Sequence, residues 1–168
     1  MAMFLKMGDI EGEATDDMHQ AWILGESLLT TIDHGTRNGA GSKRHPPSTE
    51  LILTRQLDRS SVALMAACAT SRSFPEVDIH FCTQIRSVQE PYLKCKLRDV
   101  SLSRYKFTGN SAGSPLPSEE LDLSFGSAVW TYVVVDPATG EFVEEITDSY
   151  GLKSKKLTKR RTAAQRRR

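Results

Sequence analysis

The chain has 168 residues, of which 39% are hydrophobic and 26% charged, the composition of one soluble globular domain of ordinary size. No stretch approaches the roughly eighteen apolar residues of a membrane-spanning helix, and residues 1–7 are too short for a secretory signal peptide. We therefore expect a protein made in the cytoplasm, with any export needing no cleaved leader. The net charge of +1 conceals an asymmetry, because residues 152–168 carry nine of the 22 Lys and Arg and none of the 21 Asp and Glu. The preceding 151 residues thus have 13 basic and 21 acidic side chains, a net charge of −8.

The first third of the chain predicts strands and one long loop. Apolar side chains at every second position of residues 3–7 predict a strand. Residues 21–24 (AWIL) and 27–32 (SLLTTI) predict one long strand or two short ones bent at Gly25. Residues 35–48 (GTRNGAGSKRHPPS) are rich in Gly, Pro and basic side chains and predict a loop. Loops of this length inside a compact domain are usually functional or disordered.

One short helix is predicted after a further strand around residues 51–53. Asp58 or Ser60 can cap a helix over residues 61–70, and Pro75 prevents its continuation. Spacings of i, i+3, i+4 and i+7 predict the side chains that this helix turns toward the core, with Leu64 and Cys68 widening the stripe. They are Val62, Met65, Ala66 and Ala69.

The remaining segments also read as strands. Apolar side chains alternate along residues 77–81 and 93–107, but the parity slips by one residue after position 97 and again after 102. A similar slip across Gly126 separates residues 121–125 from 128–134. A slip of this kind marks a β-bulge or bend, which a strongly coiled sheet or closed barrel needs.

The order of these elements predicts a mainly β fold. Residues 136–140 (DPATG) predict a turn between Val135 and Phe142, and hence a terminal hairpin. We expect residues 1–151 to form a closed or nearly closed β-barrel of two sheets with one short flanking α-helix and a long inter-strand loop. Residues 152–168 are expected to be a disordered basic tail.

No pattern typical of an enzyme, a metal site or a cofactor site is found, and we expect none of these. His19 has no second histidine at metal-ligand spacing and is interpreted as stabilising a turn. His80 falls on the polar side of its strand beside Asp78, as a solvated or interface residue. The paired glutamates 119–120 and 144–145 point to opposite strand faces, which does not suit a carboxylate dyad. Three widely spaced cysteines are expected to be buried and reduced: Cys68, Cys82 and Cys95.

The basic tail has two interpretations. It can bind nucleic acid or an anionic membrane surface by releasing counterions, although it has no aromatic residue to stack on bases, so nucleic acid is not the expected partner. Otherwise it is a solubilising end or folds back on the acidic body, and salt weakens either contact. The residues of the polyanion-binding interpretation are Lys155, Lys156, Lys159, Arg160, Arg161, Arg166, Arg167 and Arg168.

Several segments, in their order and spacing, resemble the Hcp family, the tube proteins of bacterial type VI secretion systems. Residues 3–13 (MFLKMGDIEGE) resemble its opening strand, which runs into G-D/E-I-x-G-E. Residues 57–61 (LDRSS) and 64–68 (LMAAC) resemble the turn that opens its single helix, and residues 119–125 (EELDLSF) resemble its late strand E-x-x-x-L-x-F. The resemblance covers residues 3–135. The basic tail is not part of the family pattern.

The resemblance implies a non-enzymatic barrel whose six copies form a ring, with rings stacking into a secreted tube. The implied partners are further copies of the chain, a spike protein, a contractile sheath and effector cargo in the lumen, with no cofactor and no membrane insertion. The long loop corresponds to the family's extended loop, which is implicated in contacts between subunits or rings: Arg37, Asn38, Lys43, Arg44 and His45. Polar strand residues are candidates for the lumen or a subunit seam: Asp78, His80, Lys94, Lys96 and Arg98.

Two other classes of protein stay open. One is a small β-barrel binding module whose basic tail engages nucleic acid or another polyanion, and it predicts salt-sensitive binding that is lost on truncation at Gly151. The other is a hydrolase with an unrecognised site, and it predicts a polar substitution that abolishes turnover without changing assembly. The tube protein predicts ring-sized particles that persist without the tail.

Overall fold

A computed structural model describes residues 1–33, 48–85, 88–109, 117–136, 139 and 141–151. These residues form nine strands and one helix, which confirms the predicted mainly β fold. In chain order the elements are β1 Ala2–Met7, β2 Ile23–Gly25, β3 Ser27–Asp33, β4 Ser48–Gln56, α1 Ser61–Ala69, β5 Ser73–Ile85, β6 Val88–Thr108, β7 Ser118–Ser124, β8 Ser127–Val135 and β9 Phe142–Gly151.

The antiparallel sheet nearly closes on itself. Its strand order is β2-β1-β5-β6-β7-β4-β3, so the path begins and ends on two strands that only Glu26 separates in sequence. The Glu26 backbone N–H donates to the Thr54 carbonyl of β4 at 2.9 Å, which holds the two ends of the path together. A Cβ on Gly25 would lie 2.4 Å from the Met3 side chain and 3.1 Å from Leu53. The break between β2 and β3 falls at Glu26, one residue after the predicted bend at Gly25, and the sheet is a nearly closed barrel.

The 21-residue strand β6 connects the two halves of the sheet. Its first half pairs with β8 and its second half with β7. Between them Asp99 has a φ of +54°, and the Gly126 N–H donates to the Arg98 carbonyl at 2.8 Å. A register shift in the pairing with β7 falls between Leu102 and Arg104. These irregularities confirm the predicted parity slips in β6, and the slip across Gly126 is the kink that separates β7 from β8.

The barrel interior is filled by the apolar face of each strand. The cluster joins the odd-numbered residues of β1, the inward residues of β4 to β8 and two residues of α1. Its fully buried members include Leu5, Met7, Ile23, Leu53, Leu64, Val77, Ile79, Leu97, Leu121 and Ala128.

The buried face of α1 differs from the predicted one. Leu64 and Ala67 are buried, whereas Val62 is 74% exposed. The helix is apolar on nearly every side, so periodicity does not select the face that packs. Its orientation is set by the buried Ser60 and Ser61 at its start.

A buried ionic network holds the start of α1 against the barrel. Arg55, on β4, is 1% exposed, donates to Ser60 Oγ at 2.6 Å and forms an ion pair with Asp58. Its Nε lies 3.4 Å from Glu119 Oε2, and Tyr105 Oη donates to Glu119 Oε1. Ser60 is the N-cap residue as predicted, but its side chain makes no capping hydrogen bond. Asp58 instead organises the turn by accepting the Ser60 N–H at 2.7 Å.

Candidate assembly surfaces

Two groups of predicted site residues lie outside the described residues. The first is the predicted contact loop: Arg37, Asn38, Lys43, Arg44 and His45. The second is the tail: Lys155, Lys156, Lys159, Arg160, Arg161, Arg166, Arg167 and Arg168. Their assembly roles stay predictions.

The five residues predicted for a lumen or seam come together on one outward face of the sheet. Cross-strand pairing puts His80 opposite Lys94 and Asp78 opposite Lys96. Arg98 lies one pair further along, opposite Glu76. Because alternate residues point inward, these side chains share the opposite face, which we call the β5–β6 face. Its members are Glu76, Asp78, His80, Lys94, Lys96 and Arg98.

Ion pairs cover most of the β5–β6 face. Lys96 Nζ donates to Glu76 Oε1 at 2.5 Å and lies 3.3 Å from Asp78 Oδ1, while Lys94 Nζ reaches Glu145 Oε1 of β9 at 3.2 Å. The hydrogen bond from Lys96 lowers the pKa of Glu76, and the same bond raises the pKa of Lys96. The Lys96 and Glu76 side chains are 41% and 42% exposed, so water screens the pair and it adds little to folding stability. These charges are therefore free to pair again with those of a neighbouring protein.

His80, predicted to be a solvated or interface residue, is half-buried on this face beside Trp22. The two ring centroids lie 4.9 Å apart. His80 Nδ1 lies 2.9 Å from Nε2 of the fully buried His19, whose Nδ1 lies 2.6 Å from Asp16 Oδ1. With both rings neutral, His19 donates to Asp16 and His80 donates to His19. Burial, followed by the neighbouring His19, lowers the pKa of His80 to about 4. The predicted turn-stabilising role of His19 is confirmed.

This histidine pair belongs to a small second core outside the barrel. Phe4, Ala14 and Cys82 are buried there, and the Phe4 ring stacks on His19 at 4.3 Å. The segment between β1 and β2 thus covers the outer side of β1 and β5. This second core was not predicted from the sequence. Phe4 and Cys82 indicated it, because they are apolar residues at positions that face outward from the barrel.

The opening motif GDIEGE is bound to the turn before α1. Gly8 has a φ of +58°, and a Cβ on Gly12 would lie 2.3 Å from the Trp22 carbonyl oxygen, so both positions suit glycine. Glu13 Oε1 accepts the Arg59 backbone N–H at 3.1 Å. The contact joins two of the segments that carry the family resemblance.

Two of the three cysteines and one glutamate of the Glu119–Glu120 pair are buried. Cys82 and Cys95 are buried free thiols, and burial raises their pKa to about 11 and about 12. Cys68 is free and half-buried, so the prediction of reduced thiols is confirmed while burial is complete for two of the three. Glu119 is buried whereas Glu120 lies on the outer face, as strand alternation predicts. Within the described residues, no group of His, Cys, Asp and Glu side chains could hold a metal ion.

The comparisons with known proteins agree with the fold. The family described as type VI secretion system effector, Hcp, matches residues 4–132. The chain therefore belongs to the Hcp family of type VI secretion proteins. It is 29% identical to the protein Hcp1 of Pseudomonas aeruginosa over 133 residues, which is 77% of this chain and 82% of that protein.

Solved structures show the same architecture. One described as a type six secretion system protein superposes with a TM-score of 0.80 and 25% identity, covering 94% of this chain and 99% of the other. Hcp1 from Salmonella typhimurium gives a TM-score of 0.75 and 27% identity, covering 94% of this chain and 98% of the other. The resemblance stated from the sequence is confirmed, and with it the function in type VI secretion. No helix in the described part of the chain is long and apolar enough to cross a membrane.

Proposed function

We propose that this chain is the tube subunit of its secretion system. Six copies form a ring, rings stack into a tube, and effectors are carried in the lumen. The observation that carries the proposal is the family match over residues 4–132, which spans β1 to β7 and most of β8. A ring is the expected product of head-to-tail contacts between identical subunits when the rotation closes.

The β5–β6 face is the proposed wall of the lumen or the seam between subunits. Two observations support this role. Its Asp78, Lys94, Lys96 and Arg98 lie together on one side of the sheet, and the ion pairs of the first three stay partly exposed in the single subunit. A second subunit can offer new partners to such charges without leaving a buried charge unpaired.

The remaining parts of the proposal concern the whole assembly. The barrel of residues 1–151 is the assembling domain, and the loop with Arg37 and Arg44 contacts a neighbouring subunit or ring. The spike protein, the contractile sheath and the effector cargo are the partners of the tube. The protein acts without catalysis, and it leaves the cytoplasm through the secretion apparatus.

Light scattering coupled to size-exclusion chromatography tests the role of the face. The double variant Lys94→Glu/Lys96→Glu reverses two charges at the centre of the β5–β6 face. The matched control is Arg104→Glu/Lys106→Glu, which reverses two charges that are 59% and 60% exposed on the second half of β6. We expect six-protomer particles for the wild type and the control, and smaller particles for the double variant. Six-protomer particles for all three proteins would show that the β5–β6 face does not contribute to the contacts that form the ring.

A further inference from the structure

Strand β9 has one free edge in the described part of the chain. It pairs with β8 from Ser127 opposite Gly151 to Val135 opposite Phe142, and no other described strand lies beside it. An edge of ten residues exposes a row of backbone N–H and C=O groups over about 33 Å, a surface on which another strand can pair.

The side chains of β9 combine apolar and acidic character. Phe142, Val143 and Ile146 are 61%, 48% and 53% exposed. Between and beyond them lie Glu144, Glu145 and Asp148, all exposed. Only Glu145 has an ion pair among the described residues, with Lys94. Exposed apolar side chains along an unpaired edge mark a contact surface, and the carboxylates favour a basic partner.

A basic segment of the same chain starts where β9 ends. Residues 152–168 follow Gly151 directly and contain nine Lys and Arg and no Asp or Glu. Seventeen extended residues span about 56 Å, which exceeds the length of β9 even after a chain reversal. The family match ends at residue 132, so β9 and this segment both lie beyond it.

We propose that residues 152–168 dock along the free edge of β9 as an added strand, with their basic side chains against Glu144, Glu145 and Asp148. Backbone hydrogen bonds supply the pairing, and Phe142 and Ile146 are partly covered. The covalent connection gives the segment an effective concentration of about millimolar, which favours it over a separate molecule. Pairing between the β9 edges of two copies would instead bring their like-charged carboxylates together. This docking does not depend on the proposed tube function.

Hydrogen exchange of the β9 amides that point away from β8 tests the docking. The full chain is compared with a chain ending at Gly151 and with the full-length triple variant Glu144→Gln/Glu145→Gln/Asp148→Asn. We expect these amides to exchange at least about tenfold more slowly in the full chain than in either variant. Raising NaCl to about 1 M should remove most of the difference, because it shortens the Debye length to about 3 Å.

The control removes the same charge elsewhere. Asp17→Asn/Glu26→Gln/Glu50→Gln changes three exposed carboxylates remote from β9 and should keep the slow exchange. Core amides of β5, followed in every variant, report whether the barrel is intact. Equal exchange of the free-edge amides in the full chain and in all the variants would overturn the proposal. In another outcome, the free-edge amides stay protected in the chain ending at Gly151, and their protection increases with protein concentration. That result would show that a second copy of the chain covers the edge, and it would also overturn the proposal.

Discussion

Arg55→Met is expected to cost far more stability than the same change at the exposed Arg59. The guanidinium is 1% exposed and lies between Asp58 and the buried Glu119, with a further hydrogen bond to Ser60 Oγ. Met keeps most of the side-chain volume but leaves two carboxylates without their cation. Removing one partner of a buried ion pair costs about 3–5 kcal/mol, because the other partner stays desolvated and unpaired. We expect a loss in this range.

The matched control is Arg59→Met, four residues away. Its guanidinium is 60% exposed and its partner Glu11 is 66% exposed, at 3.4 Å. Exposed pairs of this kind contribute about 0–1 kcal/mol. Urea unfolding at one fixed protomer concentration, extrapolated linearly to water, measures both losses, and the fixed concentration holds any contribution of assembly constant.

A second substitution separates loss of the cation from loss of packing. Adding Glu119→Gln should recover part of the loss at neutral pH. A loss below about 1 kcal/mol for Arg55→Met, equal to that of Arg59→Met, would refute the buried network.

Three further predictions address the second core, the opening motif and the thiols. Gly12→Ala should destabilise the protein by about 1–3 kcal/mol in urea unfolding. Gly109→Ala, whose Cβ would meet no atom of the described residues nearer than 3.6 Å, should cost less than about 1 kcal/mol, and equal losses would contradict the close backbone approach at Gly12. The pKa of His80 is about 4 in the folded chain against an ordinary 6.5, so the unfolded chain binds more protons between these values. The contribution of His80 to stability should therefore fall as the pH drops from 6.5 to 4. In His80→Gln, the urea midpoint should change less with pH over this range than it does in the wild type. Parallel plots of midpoint against pH for the two proteins would contradict a half-buried His80 that stays neutral. Iodoacetamide should label the half-buried Cys68 in the native protein before the buried Cys95, whose pKa is about 12. Mass spectrometry of the labelled protein measures the order. Early labelling of Cys95 would mean that the barrel opens readily.

The sequence predicted strands such as β5 and β7 well because their inward residues are buried in the barrel. Alternation along β5 gives Val77 and Ile79 to the barrel interior, and the parity slips in β6 correspond to the irregularities near Asp99 and Leu102. The helix face was predicted wrongly because α1 is apolar around most of its circumference, so only tertiary anchoring selects Leu64 over Val62. Local periodicity contains no information of that kind.

The polar contacts of the interior were beyond sequence reasoning. Arg55 follows the inward parity of Leu51 and Leu53 in β4, where a charge is unexpected, and its burial depends on Glu119 in β7 and Asp58 in the next turn. The His19–His80 contact joins residues 61 positions apart, and it turned a predicted surface histidine into a half-buried one. Such pairs are set by the register between strands. The β5–β6 face is the part of the candidate site that alternation placed correctly, since its members lie on one side of adjacent strands.

Electron microscopy of the purified full-length protein tests the central claim most directly. A tube subunit should give closed rings with six-fold symmetry, and stacks of such rings at higher protein concentration. The chain ending at Gly151 should form the same rings, because the barrel is the assembling domain. Particles of single-protomer size at every concentration, for both proteins, would contradict the assignment of this chain as a tube protein.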